Sequence, residues 1–160
     1  MRSLGVALAA LPGLLMASAG AEALDIRPHE APDACDPARP QLQVTVGPLD
    51  ASGGILVVDL YENDPDDFLQ KDGRLRRIRI PAPQGLATVC MDVKPGIYAA
   101  SSYHDRDADR DLDKRWNMMP KEPFGLSNDP EIEFGWPPIG PSLFRVPLEG
   151  GKLKITLREA

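Results

Sequence analysis

The chain has little from which to build catalysis. Its 160 residues include two histidines, two cysteines and two tryptophans. His29 and His104 lie far apart, and no Cys–His cluster has zinc-site spacing. Ser101 and Ser102 lie near His104, but no G-x-S-x-G elbow accompanies them, which argues against a nucleophilic hydrolase. Basic residues are outnumbered, 18 Lys and Arg against 24 Asp and Glu, for a net charge of −6. That excess is a poor match for nucleic acid, where phosphate contacts dominate affinity, and for anionic membrane surfaces. After the first residues no apolar run approaches the roughly 20 needed to cross a bilayer. The sequence reads as a non-catalytic protein with neither nucleic acid nor membrane insertion in its function.

The first residues have the layout of an export signal. Arg2 precedes an apolar run from Leu4 to Met16, and Ala21-Glu22-Ala23 gives an A-x-A cleavage pattern, with Ala17-Ser18-Ala19 competing. The expected organisation is a signal peptide over 1–23, a proline-rich extended lead-in over 24–40, and one domain over 41–160. Removing 1–23 takes away Arg2 and Glu22, so the charge stays at −6. In an exported chain, Cys35 and Cys90 read as one disulfide. A periplasmic or secreted monomer is expected.

From Gln41 onward, short alternating segments are separated by turn signals. Leu42, Val44 and Val46 alternate with Gln43 and Thr45, and residues 55–61 follow a Ser-Gly-Gly turn. In the segment 87–93, Val89, Met91 and Val93 share one face, leaving Cys90 on the other, where a crossing tail can reach it. Segments 142–148 and 152–158 flank Gly150-Gly151, a two-residue hairpin signal. Residues 64–69 suit a single helical turn capped by Asp64. Between 114 and 141 only 131–134 has strand character, which leaves a long proline-rich connection of the kind that is usually functional or mobile. The pattern predicts an all-β antiparallel sandwich of about seven strands.

The densest chemistry is the run from His104, in which Asp105, Asp107, Asp109, Asp111 and Asp113 recur at every second position. A calcium loop takes oxygens from positions 1, 3, 5, 7 and 9 and a bidentate carboxylate from position 12. Starting at Asp105, side chains of Asp105, Asp107, Asp109 and Asp113 and the carbonyl of Asp111 occupy the first five. Position 6 is Arg110, where the sharp turn favours glycine, and position 12 is Trp116, which has no carboxylate. Glu122 or Glu131 becomes a substitute only if the later chain returns to the loop. The competing reading is a solvated loop in which Arg106, Arg110, Lys114 and Arg115 offset four of the five charges.

Two further features have plain alternatives. The loop around Trp136, with Trp116 and Phe134, suits a protein or carbohydrate partner, or simply covers one end of the sandwich. Arg74, Arg76, Arg77 and Arg79 alternate with apolar residues and form a solvent face or pair with nearby carboxylates.

The chain resembles a bacterial exported family, domain of unknown function 2141, over about 41–158. The resemblance rests on Leu42–Val46, on Asp67-Phe68-Leu69 and on Pro95-Gly96-Ile97-Tyr98. It rests most on His104, Asp105, Asp107, Asp109 and Asp113 in a His-Asp-x-[Asn/Asp]-x-[Asn/Asp]-Gly-x-x-Asp element, with Gly125-Leu126-Ser127-Asn128 downstream. Arg110 replaces the family's usual glycine. Cys35 and Cys90 look like a pair found in members with a longer lead-in. The resemblance implies an immunoglobulin-like or transthyretin-like sandwich and no settled activity. The sequence thus yields an exported β-sandwich with a calcium-binding acidic loop, or alternatively a binding module acting through residues 114–141.

Overall fold

The computed structural model describes residues 23–115, 119–132 and 135–159. The expected signal peptide lies outside them except for its last residue, as do Trp116 and Phe134. Two β-sheets face each other. The smaller has the order β4 (Gly85–Met91), β1 (Leu42–Leu49), β8 (Gly151–Thr156). The larger runs β3 (Arg74–Pro81), β2 (Ile55–Glu62), β5 (Gly96–Asp105). The far edge of β5 is shared by β6 (Phe124–Leu126), which pairs with 101–103, and β7 (Phe144–Val146), which pairs with 96–98.

Alternation dictates which side chains enter the space between the sheets. Leu42, Val44 and Val46 of β1 meet Leu56, Val58 and Leu60 of β2, all at most 1% exposed. Val89 and Met91 point inward as expected, and Cys90 points the other way. Full burial of one such aliphatic side chain stabilises by about 1.5–3 kcal/mol over leaving it in water.

The segment 64–69 makes one turn: the Phe68 amide donates to the Asp64 carbonyl at 3.1 Å, and the Asp64 carboxylate accepts from the Asp66 amide. The expected hairpin across Gly150-Gly151 does not form. The chain does bend there, but β7 stays on β5 while β8 runs parallel to β1 in the other sheet. Only beside β1 do Leu153 and Ile155 enter the core. The strand expected at 131–134 is also absent from its described part: Glu131 and Ile132 are irregular, and the strand of this connection is β6.

β2 is buried on both faces. Ile55, Val57 and Tyr61 point away from the main core yet are at most 2% exposed. The lead-in and the long connection cover them. Ile26, Ala108, Leu112 and Phe124 pack near Ile55 and Val57, while Phe68, Leu126 and Ile139 pack with Tyr61. The outer face of the larger sheet is therefore a second, shallower interior, and every candidate site lies on it.

The lead-in is fastened at several points. Cys35 and Cys90 form a disulfide, and the Asp33 amide donates to the Cys90 carbonyl at 3.0 Å. Upstream, Pro28–Glu30 make one 3-10 turn. Pro28 suits its start, because an N-terminal position has no helical acceptor to lose.

Candidate metal centre and the adjoining cleft

β5 carries the aspartate run out of the sheet. Its last residue, Asp105, is fully buried, and the chain then turns sharply. Gly54 lies against this exit with φ +71°, and a Cβ there would lie 2.2 Å from the Asp105 carbonyl oxygen. Close approach of the two backbones thus requires glycine. His104 does not face the aspartates: its Nε2 lies 2.7 Å from the Gly53 carbonyl oxygen on the inner side.

The turn places carboxylate oxygens of Asp105, Asp107 and Asp109 all within 4.8 Å of one another. Ala108 and Arg110 take positive φ, +59° and +78°, which costs roughly 1–2 kcal/mol for a residue with a side chain. Arg110 therefore adopts the conformation for which glycine is usual at this position. The Asp105 Oδ2 accepts from the Arg110 amide at 3.0 Å and helps to hold the bend.

Three of the loop's four basic residues are engaged away from this trio. Arg106 pairs with Glu159, and Arg110 pairs with Glu30 and Asp25. Lys114 lies over the Trp136 ring, 5.4 Å from its centroid. Two of the five aspartates find lysines elsewhere, Asp111 with Lys71 at 2.6 Å and Asp113 with Lys121 at 3.3 Å. Among the described residues, Asp105, Asp107 and Asp109 have no ion-pair partner. Lys71 and Lys121, both outside the loop, thus compensate Asp111 and Asp113, and Asp107 and Asp109 are exposed to water as the solvated-loop reading has them, whereas Asp105 is buried.

Glu122 returns to the loop from the long connection and braces it. Its Oε1 accepts from the Arg106 amide at 2.7 Å and its Oε2 from the Asp113 amide at 3.3 Å. Burial pushes the Glu122 carboxyl above its ordinary value, and the neighbouring Asp105 and Asp107 push the same way. Burial likewise raises Asp105, opposed by the Arg110 amide and reinforced by Asp109. The Asp105 Oδ1 is buried with no hydrogen-bond partner. A buried, unbonded carboxylate oxygen costs about 1–3 kcal/mol or more unless something positive meets it.

Sequence reasoning did not find the anchor beneath this loop. Glu30 is buried and bonds both Arg79 and Arg110, and the Arg110 carbonyl accepts from Arg79 Nη2 at 2.8 Å. Burial opposes the Glu30 charge, but the Arg27 amide and the Arg110 and Arg79 guanidiniums prevail and hold its pKa at about 2. The only signal in sequence was Glu30 placed to cap a turn begun by Pro28, which says nothing about partners 49 and 80 residues away. Three of the four β3 arginines are partners of carboxylates, as one sequence reading had it: Arg76 meets Asp33, Arg77 meets Asp59 and Arg79 meets Glu30.

Beside the loop, a cleft of about 390 Å³ lies between the outer face of β2, β3 and β5 and the long connection. Trp136, half exposed, forms part of its wall rather than an end cap. On its floor, Asp59 accepts two bonds from Arg77, each 2.6 Å.

The profile of a family described as "Uncharacterized protein conserved in bacteria (DUF2141)" matches residues 44–156. The chain belongs to that family. No curated protein and no solved structure matches significantly.

Proposed function

We propose that this family member is an exported, non-catalytic β-sandwich whose acidic loop holds a calcium ion. The observation that carries the reading is the fully buried Asp105, with its unbonded Oδ1, in a cluster with Asp107 and Asp109 that has no ion-pair partner among the described residues. An all-oxygen, anionic donor set suits a hard cation. Calcium fits better than magnesium because it accepts six to eight oxygens in irregular geometry. In the loop pattern the Asp111 carbonyl and Asp113 complete the set, with water. Asp113 pairs with Lys121, so binding would exchange a weak exposed pair for a ligand bond.

The ion's role is to hold the loop. It would cancel the repulsion of three carboxylates and fix a bend that already contains two strained residues. Export is supported by the basic and apolar start of the sequence and by the disulfide, a bond that persists in oxidising compartments. A non-catalytic role is supported by the use of His104, the domain's one histidine, on the Gly53 carbonyl.

Calorimetric titration of the mature protein with calcium tests the reading. One site per chain is expected, with melting raised by calcium and not by equal ionic strength of sodium. Absence of both heat and stabilisation at millimolar calcium would remove the metal from the account.

A further inference from the structure

We propose that the cleft on the outer face of the larger sheet binds a small aromatic carboxylate. Its size, about 390 Å³, falls within the range of small-molecule sites. The chain has nine aromatic residues, and four of them, Tyr61, Tyr103, Phe124 and Trp136, line this one cleft. Leu112 and Ile132 add aliphatic surface. A flat ring held among such walls gains offset and edge contacts beyond simple burial.

The charges give the second half of the ligand. Among the described residues, Lys71, Arg74, Arg77 and Lys114 line the cleft with only Asp59 and Asp111 as acids. Asp59 is taken by Arg77 and Asp111 by Lys71. The described residues of the wall are left with two excess positive charges, those of Arg74 and Lys114, in a chain whose net charge is −6. Concentrating positive charge against the overall sign selects an anion. Lys114 lies over the half-exposed Trp136 ring, so ring and cation are presented together.

A sugar fits this surface less well. The floor's polar groups are already engaged, Arg77 with Asp59 and the Tyr61 hydroxyl with Ser101. Buried sugar hydroxyls would lack partners, and that desolvation is unfavourable. A single carboxylate at the rim needs only Arg74 and Lys114, while the ring takes the apolar walls.

The test titrates the mature, disulfide-bonded protein with 2-naphthoate and, separately, with 2-naphthamide, the neutral analogue. Saturable one-to-one binding of naphthoate is expected, with naphthamide roughly tenfold weaker. Lys114→Glu and Arg74→Glu should each weaken naphthoate by roughly tenfold while leaving naphthamide unchanged. Ser101→Phe, which places a ring on the floor, should abolish binding of both. If that variant does not fold, the two surface charge reversals still decide. Equal affinity for acid and amide, affinity unaffected by charge reversal, or no saturable binding at millimolar naphthoate would each overturn the proposal.

Discussion

Glu30 and Arg110 are 80 residues apart in sequence and 2.8 Å apart in space. The same carboxylate bonds the buried Arg79. One side chain of the lead-in thus fastens β3 and the acidic loop together. It also explains how a residue with a side chain holds φ +78° at the sixth loop position: the Arg110 guanidinium is anchored on one side and its carbonyl on the other.

Glu30→Gln should therefore be costly. It leaves Arg79, whose side chain is 3% exposed, without its carboxylate. Breaking a buried pair from one side costs about 3–5 kcal/mol. Denaturant unfolding should show that loss. In the parent protein the pair's contribution should be present above the ordinary glutamate value of 4.5 and be lost as pH falls through about 2.

Asp105→Asn should reverse sign with calcium. The amide oxygen can still accept from the Arg110 amide, and the buried charge is gone. Without calcium the variant should melt higher than the parent, by roughly 1 kcal/mol of stability. With calcium the parent should gain about 2.7 kcal/mol at a hundredfold excess over Kd, and the variant should gain almost nothing. Paired melts in calcium and in chelator read both effects.

The pH of greatest stability should move when calcium is added. Asp105 and Glu122 are raised in the folded state, so their penalty is full above their folded pKa values and is relieved as pH falls through them. Glu30 acts in the opposite sense at lower pH. The metal-free protein should thus be most stable at mildly acidic pH. Calcium, which binds the deprotonated carboxylates, should shift the optimum toward neutrality. An optimum that does not respond to calcium would count against a shared ion.

Replacing Cys35 and Cys90 together by serine should destabilise by about 4 kcal/mol, the loop-closure value for a bridge of this span. The sequence separation is 55 residues. Hydrogen exchange should quicken first at the Asp33 amide, which bonds the Cys90 carbonyl.

Gly54→Ala should disturb the acidic loop from outside it. The added Cβ meets the Asp105 carbonyl oxygen and the Arg106 backbone. A loss of about 1–3 kcal/mol is expected, together with weaker calcium binding in titration.

Much of the sandwich was legible because its period is local. Leu42, Val44 and Val46 alternate, and the core takes that face. The acidic run was legible for the same reason: Asp105, Asp107 and Asp109 are close in sequence, so a single bend is enough to gather them. Gly150-Gly151 misled because a turn signal specifies a bend and not which sheet receives the next strand. β8 pairs with β1, more than a hundred residues earlier, since that is where Leu153 and Ile155 are buried.

By itself the sequence determined the strand-forming segments, the pair of cysteines and the crowding of carboxylates after β5, since each depends on side chains within a few residues of one another. Tertiary structure alone decided which of those carboxylates stay uncompensated. It turned Arg106 and Arg110 away toward Glu159 and Glu30, brought lysines to Asp111 and Asp113, and left Asp105 buried with a bare oxygen. It likewise assembled a cationic aromatic cleft from residues scattered between 59 and 137. Charge pairing and burial depend on distance in space, and the long connection and the lead-in fix those distances only once both are laid across the outer face of the sheet.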